Sequence, residues 1–120
     1  MLFSIHNTIF ILFVQELKET SPMKKSKNCS SIDEIRNEID RIDKNIIELL
    51  GERYEYIKEI IKFKSNAIEV KAQKRYDEVF IQRRKWAEEC GLSPDVIEDV
   101  YKTLVHYFID EQMKLLKVKN

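Results

Sequence analysis

The stretch "IDEIRNEIDRIDKNIIELLGERYEYIKEIIKFK", residues 32–64, decides the fold of this chain. No proline interrupts it, and its single glycine, Gly51, costs a helix only about 1 kcal/mol. The pattern therefore predicts one continuous amphipathic helix roughly 50 Å long. Its apolar side chains recur at the spacing of a heptad repeat, at Ile32, Ile35, Ile39, Ile42, Ile46, Leu49, Tyr56, Ile60 and Phe63.

One position of this apolar stripe holds a cation. The stripe passes from Leu49 to Tyr56 through Arg53. A buried guanidinium costs several kcal/mol unless an anion or water compensates its charge. Arg53 could extend its head group to the surface, pair with Glu48, Glu52 or a carboxylate across a dimer seam, or bind an anionic ligand.

The start of the long helix and its end carry separate signals. Ser30 or Ser31 is a suitable N-cap, and Glu34, three residues past Ser31, completes a capping box. "SNAIEV", residues 65–70, breaks the apolar spacing and predicts a loop. A helix this long cannot bury its stripe alone in a chain of 120 residues, and a second copy of the chain is the simplest partner.

Two further helices follow. The second is predicted over residues 72–90 and ends at Gly91, a typical C′ residue. Ser93 caps the third, with Pro94 at its first position, and the apolar stripe of this helix is interrupted at Gln112, which could set core register or face a ligand. The fold prediction is all-α, with three helices per chain in an intertwined homodimer. One side of the second helix carries Tyr76, Val79, Phe80, Arg83, Trp86 and Ala87.

Composition narrows the classes of function. Lys+Arg and Asp+Glu number 21 each, and this balance argues against a bulk nucleic-acid binder or a protein that binds anionic membranes. It leaves room for a small pocket in which a few cations converge. Cys29 and Cys90 have no CxxC spacing, so the sequence suggests neither a zinc site nor a disulfide framework. Free thiols in a reducing cytoplasm are the simplest interpretation.

Residues 1–29 are predicted to be a disordered tail or an over-extended start. Their apolar run, residues 8–14, is far shorter than the ~20 residues that span a bilayer. The segment also lacks the basic region and the cleavage site of a signal peptide. A weak amphipathic anchor remains a third interpretation. We expect the working protein to begin near Met23.

Helical phase relates three cations of the long helix. Lys64 follows Arg53 by eleven residues, about three turns, so both should point to nearly the same side, about 16 Å apart. Arg36 precedes Arg53 by seventeen residues, which places it about 25 Å away and a quarter turn round. Arg36 is therefore expected to reach such a pocket only from an antiparallel partner chain.

These residues carry a family resemblance. "IDEIRNEIDRID" and "LLGERYEYIKEIIKFK" resemble the first helix of the all-helical chorismate mutases. "RRKWAEECGL" and "VHYFIDEQMK" resemble the bacterial isochorismate pyruvate lyases, which share that fold. The resemblance covers residues 32–117 and implies a chorismate mutase-like helical domain, residues 30–118, of the type II fold.

The resemblance implies a role for each site residue. Arg36 matches the arginine that the neighbouring subunit contributes to bind a substrate carboxylate. Arg53 matches the arginine that clamps a carboxylate from the long helix, and Arg75 falls where the family places another carboxylate-binding arginine. Lys64 matches the lysine that contacts the ether oxygen and a carboxylate, and Gln112 the glutamine that hydrogen-bonds the ether oxygen. No metal or cofactor is implied.

The implied reaction is a pericyclic step on a small dianion, chorismate or isochorismate. Tyr76 follows Arg75 where typical mutases carry a glutamate, and Ala72 stands where they carry an acidic residue. Both departures favour an isochorismate pyruvate lyase, producing salicylate and pyruvate, with weak chorismate mutase activity. A genuine chorismate mutase and a non-catalytic helical dimer are the alternatives. The expected partners are the dianionic substrate and a second copy of the chain, without nucleic acid or membrane, in the cytoplasm.

Overall fold

The computed structural model describes residues 26–120. No strand occurs within this range, which confirms the all-α prediction. None of its helices is both long and apolar enough to cross a membrane. Most of the predicted tail or over-extended start, residues 1–25, lies outside the described residues. The described elements are two 3-10 turns, Ser26–Asn28 and Ile61–Phe63, and the helices α1 (Ile32–Ile60), α2 (Ala67–Lys71), α3 (Gln73–Glu89) and α4 (Pro94–Lys119).

The chain divides into two units, Met1–Ile47 and Glu48–Asn120. In the described part of the first unit, the Ser31 hydroxyl accepts the backbone N–H of Glu34 at 3.1 Å, as expected of an N-cap. The Glu34 carboxylate accepts the backbone N–H of Ser30 at 2.8 Å. The predicted capping box therefore forms, with its glutamate reaching one residue before the cap.

The apolar stripe of the first unit faces solvent. Its isoleucines are between 41% and 65% exposed, and none of the residues of α1 is buried. A continuous row of large apolar side chains in water is typical of a surface that another molecule covers. The exposure agrees with the expectation that one chain cannot bury this stripe by itself. These side chains are Ile32, Ile35, Ile39, Ile42 and Ile46.

The core of the second unit is small and lies around α4. Val79 and Phe80 of α3 pack with Val105 of α4. A second cluster joins the 3-10 turn, α2 and the far end of α4 through Ile61, Val70 and Leu116. Ile109 of α4 packs against both clusters, so it links them into one apolar layer.

The predicted loop at residues 65–70 is wrong in part, because Ala67–Lys71 forms the short helix α2. The Asn66 side chain caps it by accepting the backbone N–H of Glu69 at 2.9 Å. The Glu69 carboxylate in turn accepts the backbone N–H of Ser65 at 2.7 Å. The backbone then turns sharply at Ala72, whose φ of +47° lies in the left-handed region that non-glycine residues seldom adopt.

The junction between α3 and α4 forms as predicted. Gly91 has a φ of +74°, and the N–H of Leu92 donates to the carbonyl of Ala87 at 2.8 Å, as in a Schellman motif. Ser93 caps α4, since its hydroxyl accepts the N–H of Val96 at 3.4 Å. The short connection turns the chain back so that α4 packs against α3.

The end of α4 is bonded to the turn that follows α1. The Lys119 ammonium donates to the carbonyls of Ile61 at 3.1 Å and of Lys64 at 2.8 Å. The Asn120 side-chain amide donates to the carbonyl of Ser65 at 3.4 Å. These bonds satisfy carbonyls that the end of a helix leaves without partners, and they fix the backbone at Lys64.

Candidate active site

A cavity of about 180 Å³ lies within the second unit. Its wall is built from the second half of α1, the turn after it, α2, α3 and α4. Four of the five predicted site residues line it: Arg53, Lys64, Arg75 and Gln112. These residues are separated by up to 59 positions in the sequence (112 − 53 = 59), and the fold brings them to one place. The roles predicted for them stay predictions.

Arg53 presents a buried cation to this cavity. Its guanidinium carbon lies 4.9 Å from the centre of the Phe108 ring, a cation–π contact. Its Nη1 atom is buried and has no hydrogen-bond partner within the described chain. Desolvation by burial lowers the pKa of Arg53, and the charges of Arg83 and Arg75 lower it further. The interruption in the apolar stripe is therefore a half-buried guanidinium with a free donor, not the member of an ion pair.

Lys64 lines the cavity, but its backbone conformation differs from the helical one that the sequence predicted. The α-helix ends at Ile60, and Ile61–Phe63 continues as a 3-10 turn. Lys64 itself is extended, with φ of −111° and ψ of 138°. The expectation that Lys64 continues the helical phase of Arg53 is thus wrong, although both side chains line the same cavity. The tighter turn and the extended residue bring the lysine inward.

Gln112 is the buried polar residue of the cavity wall. Only 5% of its surface is exposed, on a face of α4 that otherwise carries apolar side chains. An amide in this position supplies a neutral N–H donor at little electrostatic cost. Arg75, near the start of α3, is exposed, so its guanidinium is accessible to solvent.

The cavity wall carries a large excess of positive charge. Four cations line it, and within the described chain no carboxylate does. Three of them were predicted from the sequence, whereas the fourth, Lys71, directly follows the predicted loop and interrupts no apolar pattern that would have revealed it. The remaining wall is largely apolar, with Val79, Val105 and Ile109 among its members. Such a site suits a small, flat, apolar body that carries more than one negative charge.

Two wall positions lack the acidic side chains that a typical mutase would place there. Ala72 lies at the left-handed turn and adds no polar atom to the wall. Tyr76 lines the cavity with its ring, while its hydroxyl lies 2.8 Å from Nε2 of His106. The tyrosine hydroxyl is thus already engaged by His106.

Arg36 is not among the residues that line the cavity. It lies in the first unit, with 71% of its side chain exposed, and its Nη1 is 4.0 Å from a carboxylate oxygen of Asp33. An exposed ion pair of this kind is weak and is easily exchanged for another anion. The prediction that a partner chain supplies Arg36 to the site stays a prediction.

Comparison with known proteins identifies the family. The sequence profile of chorismate mutase type II matches residues 35–113, about two thirds of the chain. The chain belongs to the chorismate mutase type II family. The matched range includes Arg36, the four cations of the cavity wall and Gln112. The predicted family resemblance is confirmed.

Individual members of the chorismate mutase type II family resemble the chain to different extents. Isochorismate pyruvate lyase of Pseudomonas aeruginosa is 36% identical over 92 residues, which cover 77% of this chain and 91% of that protein. The T-proteins of Enterobacter agglomerans and Haemophilus influenzae are 35% and 33% identical over 72 and 73 residues. The chain spans only 19% of each T-protein, so the similarity to them concerns one part of a longer protein.

Proposed function

We propose that the chain is a pericyclic enzyme that acts as an isochorismate pyruvate lyase and has weak chorismate mutase activity. The observation that carries this proposal is the cavity wall, in which four cations and a buried amide surround an apolar space without a carboxylate. Isochorismate is complementary to such a cavity, because it has two carboxylates, a six-membered ring and an enolpyruvyl ether between them. The similarity to a lyase along nearly the whole of that protein supports the same assignment.

Binding of the substrate carboxylates falls to the guanidinium groups. A planar guanidinium can donate two parallel hydrogen bonds to one carboxylate, and such bonds are about twice as strong as neutral ones. The buried Nη1 of Arg53 is a donor without a partner, so a carboxylate placed there satisfies an existing deficit. Arg75 is available for the second carboxylate, and Arg36 of a partner chain adds a further cation.

Lys64 and Gln112 act on the ether oxygen. When the C–O bond of the ether breaks, negative charge develops on the oxygen that leaves with the pyruvate. Donors already held in place stabilise this charge more strongly in the transition state than in the ground state. Lys64, after the turn that follows α1, supplies a full positive charge. Gln112 of α4 supplies a neutral N–H donor.

The atom balance explains why no base is needed. Conversion of isochorismate into salicylate and pyruvate removes one hydrogen from the ring carbon that bears the hydroxyl, next to the carbon that carried the ether. The methylene carbon of the enolpyruvyl group gains one hydrogen and becomes the methyl group of pyruvate. In one concerted step the hydrogen moves from the hydroxyl-bearing ring carbon to the methylene carbon, the ring C–O bond of the ether breaks, a ring double bond forms, and the former ether oxygen becomes the keto oxygen of pyruvate. The enzyme therefore contributes orientation and charge stabilisation.

The assignment as a lyase, rather than a mutase, is supported by two wall positions. Chorismate and isochorismate carry their ring hydroxyl on different carbons; the hydroxyl of chorismate would need a partner, and a carboxylate is the strongest acceptor for it. Ala72 offers no polar side chain, and the Tyr76 hydroxyl is engaged by His106. The alternative, a genuine chorismate mutase, is supported by the similarity to the T-proteins and by the same pattern of cations. A non-catalytic helical dimer would not require four cations around one cavity.

A second copy of the chain is proposed to complete the site. The exposed isoleucine stripe of the first unit needs a cover, and Arg36 lies on the same half of α1. An antiparallel copy would bury the stripe and carry Arg36 to the cavity of its partner. Balanced net charge argues against a nucleic-acid partner, and Cys29 and Cys90, which form no disulfide, suit a reducing cytoplasm.

Parallel assays with the two substrates test this function. Purified protein is incubated with isochorismate and, separately, with chorismate, while salicylate fluorescence and prephenate formation are followed. Salicylate from isochorismate, at a kcat/KM well above that for prephenate formation, is the expected result. Prephenate as the main product would replace the lyase assignment with the mutase, and absence of both products would refute catalysis.

Mixed dimers test the shared site. The variants Arg36→Ala and Arg53→Ala are each expected to be inactive. When they are mixed and refolded, about half of the dimers combine one of each chain, and each such dimer has one site without either lesion. Recovery of about a quarter of the wild-type activity is expected. No recovery, in samples where subunit exchange is demonstrated by differently tagged chains, would contradict a site built from two chains.

A further inference from the structure

A second cavity, of about 530 Å³, lies beside the first within the second unit. Three residues line both cavities: Lys71 at the end of α2, Tyr76 of α3 and Ile109 of α4. The two cavities therefore share a wall, and these side chains form it. His106 of α4 lines the second cavity and is not among the residues that line the first.

The Tyr76 ring is held in this shared wall by several contacts. Its hydroxyl lies 2.8 Å from Nε2 of His106, and the two rings stack with 5.8 Å between their centres and 12° between their planes. An edge contact with Phe80, with ring centres 4.8 Å apart, fixes the tyrosine against the core. The Lys71 ammonium lies 5.8 Å from the ring centre. A tyrosine with a packed ring and a bonded hydroxyl has little freedom to turn out of the wall.

His106 contributes little to the core of the second unit. It is exposed, whereas Val105 next to it is buried. Its bond and its stacking with Tyr76 are therefore not a by-product of core packing. They tie the Tyr76 hydroxyl to a side chain that lines the second cavity and not the first.

The shared wall limits how large a ligand the first cavity can hold. Cavities that bind small organic ligands usually measure about 300–1,000 Å³. The first cavity, at about 180 Å³, is smaller than that range, and the second, at about 530 Å³, falls within it. Alone, the first cavity suits a single six-membered ring with its carboxylates. Without the Tyr76 ring between them, the two cavities would form one space several times larger.

We propose that Tyr76, held by His106, is the partition that limits the size of the ligand in the first cavity, and that His106 is a positioning residue that acts through this ring. With the bond formed, the Tyr76 ring closes the first cavity, and a second fused ring on a ligand collides with it. Without the bond, the ring turns aside and the ligand extends into the second cavity. This inference rests on the proposed function for the use of the first cavity, and it adds what limits the substrate to a single ring.

Two aromatic dianions that differ by one fused ring test the partition independently of turnover. The dissociation constants of isophthalate and of naphthalene-1,3-dicarboxylate, which has the same carboxylate spacing, are measured by calorimetry on the full chain at fixed ionic strength. His106→Ala removes the bond and the stacked ring, and Tyr76→Phe removes only the bond. His106→Gln keeps an amide that can bond to the tyrosine hydroxyl. Tyr107→Phe is the matched control, because Tyr107 lines neither cavity.

The deciding quantity is the dissociation constant of naphthalene-1,3-dicarboxylate divided by that of isophthalate. We expect this ratio to be about thirty in wild type, because extra carbon atoms forced against a packed wall are costly. His106→Ala should lower the ratio about tenfold and Tyr76→Phe about threefold, in line with the modest net contribution of one hydrogen bond. His106→Gln and Tyr107→Phe should stay within about twofold of wild type. A general loss of folding would weaken the binding of both ligands and leave the ratio unchanged.

Three results would overturn the proposal. One is wild-type protein that binds the two dianions equally well, which would show that no partition limits the ligand. Another is an unchanged ratio in His106→Ala or in Tyr76→Phe. The third is a ratio in His106→Gln as low as that in His106→Ala, which would show that the imidazole ring matters and its bond does not. If His106→Ala does not fold, Tyr76→Phe decides alone: a lowered ratio supports the partition, and an unchanged one refutes it.

The turnover assays separate this proposal from the proposed function. If wild-type protein binds isophthalate but converts neither isochorismate nor chorismate, the function is refuted and the ratio still decides the role of His106. If wild-type protein converts isochorismate but binds neither aromatic dianion, the partition proposal falls and the function stands.

Discussion

Replacement of Arg53 by methionine should make the protein more stable and much less active. The reason is that the ligand-free protein holds a desolvated guanidinium with a buried donor that has no partner. Such a donor costs about 1–3 kcal/mol. The cation–π contact with Phe108, at 4.9 Å, returns about 0.5–2 kcal/mol. Methionine removes the charge, fills similar space and keeps a sulfur–aromatic contact worth about 0.3–1.5 kcal/mol.

The expected net gain is about 1 kcal/mol of unfolding free energy, or a rise in Tm of about 4–8 °C for a domain of this size. The opposite sign is expected for catalysis. Loss of two charge-assisted hydrogen bonds to a carboxylate, at about 1.5–3 kcal/mol each, should lower kcat/KM at least 10²-fold. A residue kept at the expense of stability is a residue kept for binding.

The stability penalty of Arg53 depends on pH. Burial lowers the pKa of Arg53 in the folded protein, so the penalty is absent above the pKa of the unfolded chain, grows as pH falls from that value toward the lowered folded pKa, and is fully present below it. At neutral pH the guanidinium is protonated in both states, and the full penalty is present. The difference in Tm between wild type and Arg53→Met should therefore be constant between about pH 6 and pH 9.

Thermal unfolding at fixed protein concentration, with and without isophthalate, an aromatic dianion, provides the measurement, since a dimer would make Tm depend on concentration. Arg53→Lys is the matched control, because it keeps the charge and the carbon stem. It should not gain stability and should retain part of the binding. A fall in Tm of several degrees in Arg53→Met would refute the reasoning, because it would show that the guanidinium holds the fold together.

Four further substitutions test other parts of the structure. Lys64→Ala should lower the turnover rate about 10²- to 10³-fold with little change in Tm, as measured by salicylate fluorescence. Gln112→Leu should lower the rate by about the same factor while Tm is unchanged or raised, because leucine suits a site only 5% exposed; a lower Tm would indicate a structural amide. Ala72→Gly should raise the unfolding free energy by about 1 kcal/mol in urea titration, since a φ of +47° strains alanine but not glycine. Gly91→Ala, at a φ of +74° with open space around the added carbon, should lower it by about 1 kcal/mol through backbone strain alone.

The helix boundaries could be read from the sequence where capping chemistry was recognised. Ser31, Gly91 and Ser93 mark real boundaries because their local hydrogen bonds require little help from the rest of the fold. The helix α2 was missed, although Asn66 and Glu69 repeat the arrangement of Ser31 and Glu34. A five-residue helix is too short to show an apolar period, so only its cap could have revealed it.

The site was predictable to the extent that its residues interrupt apolar patterns. Arg53 and Gln112 stand out because each replaces a hydrophobic side chain on a helix face. Lys64 was placed on the correct side for the wrong reason, since the helix ends before it. Lys71 belongs to an exposed polar segment, and only the tertiary fold shows that it faces the cavity.

The bonds from Lys119 to the carbonyls around Lys64 have a practical consequence for anyone who manipulates this protein. The end of α4 and the backbone of the proposed catalytic Lys64 are held together by hydrogen bonds, although 55 positions separate Lys119 from Lys64 (119 − 64 = 55). We expect a purification tag joined directly after Asn120 to disturb these bonds and to slow turnover without altering any side chain of the cavity wall. The position of a tag therefore belongs in the design of every assay described above.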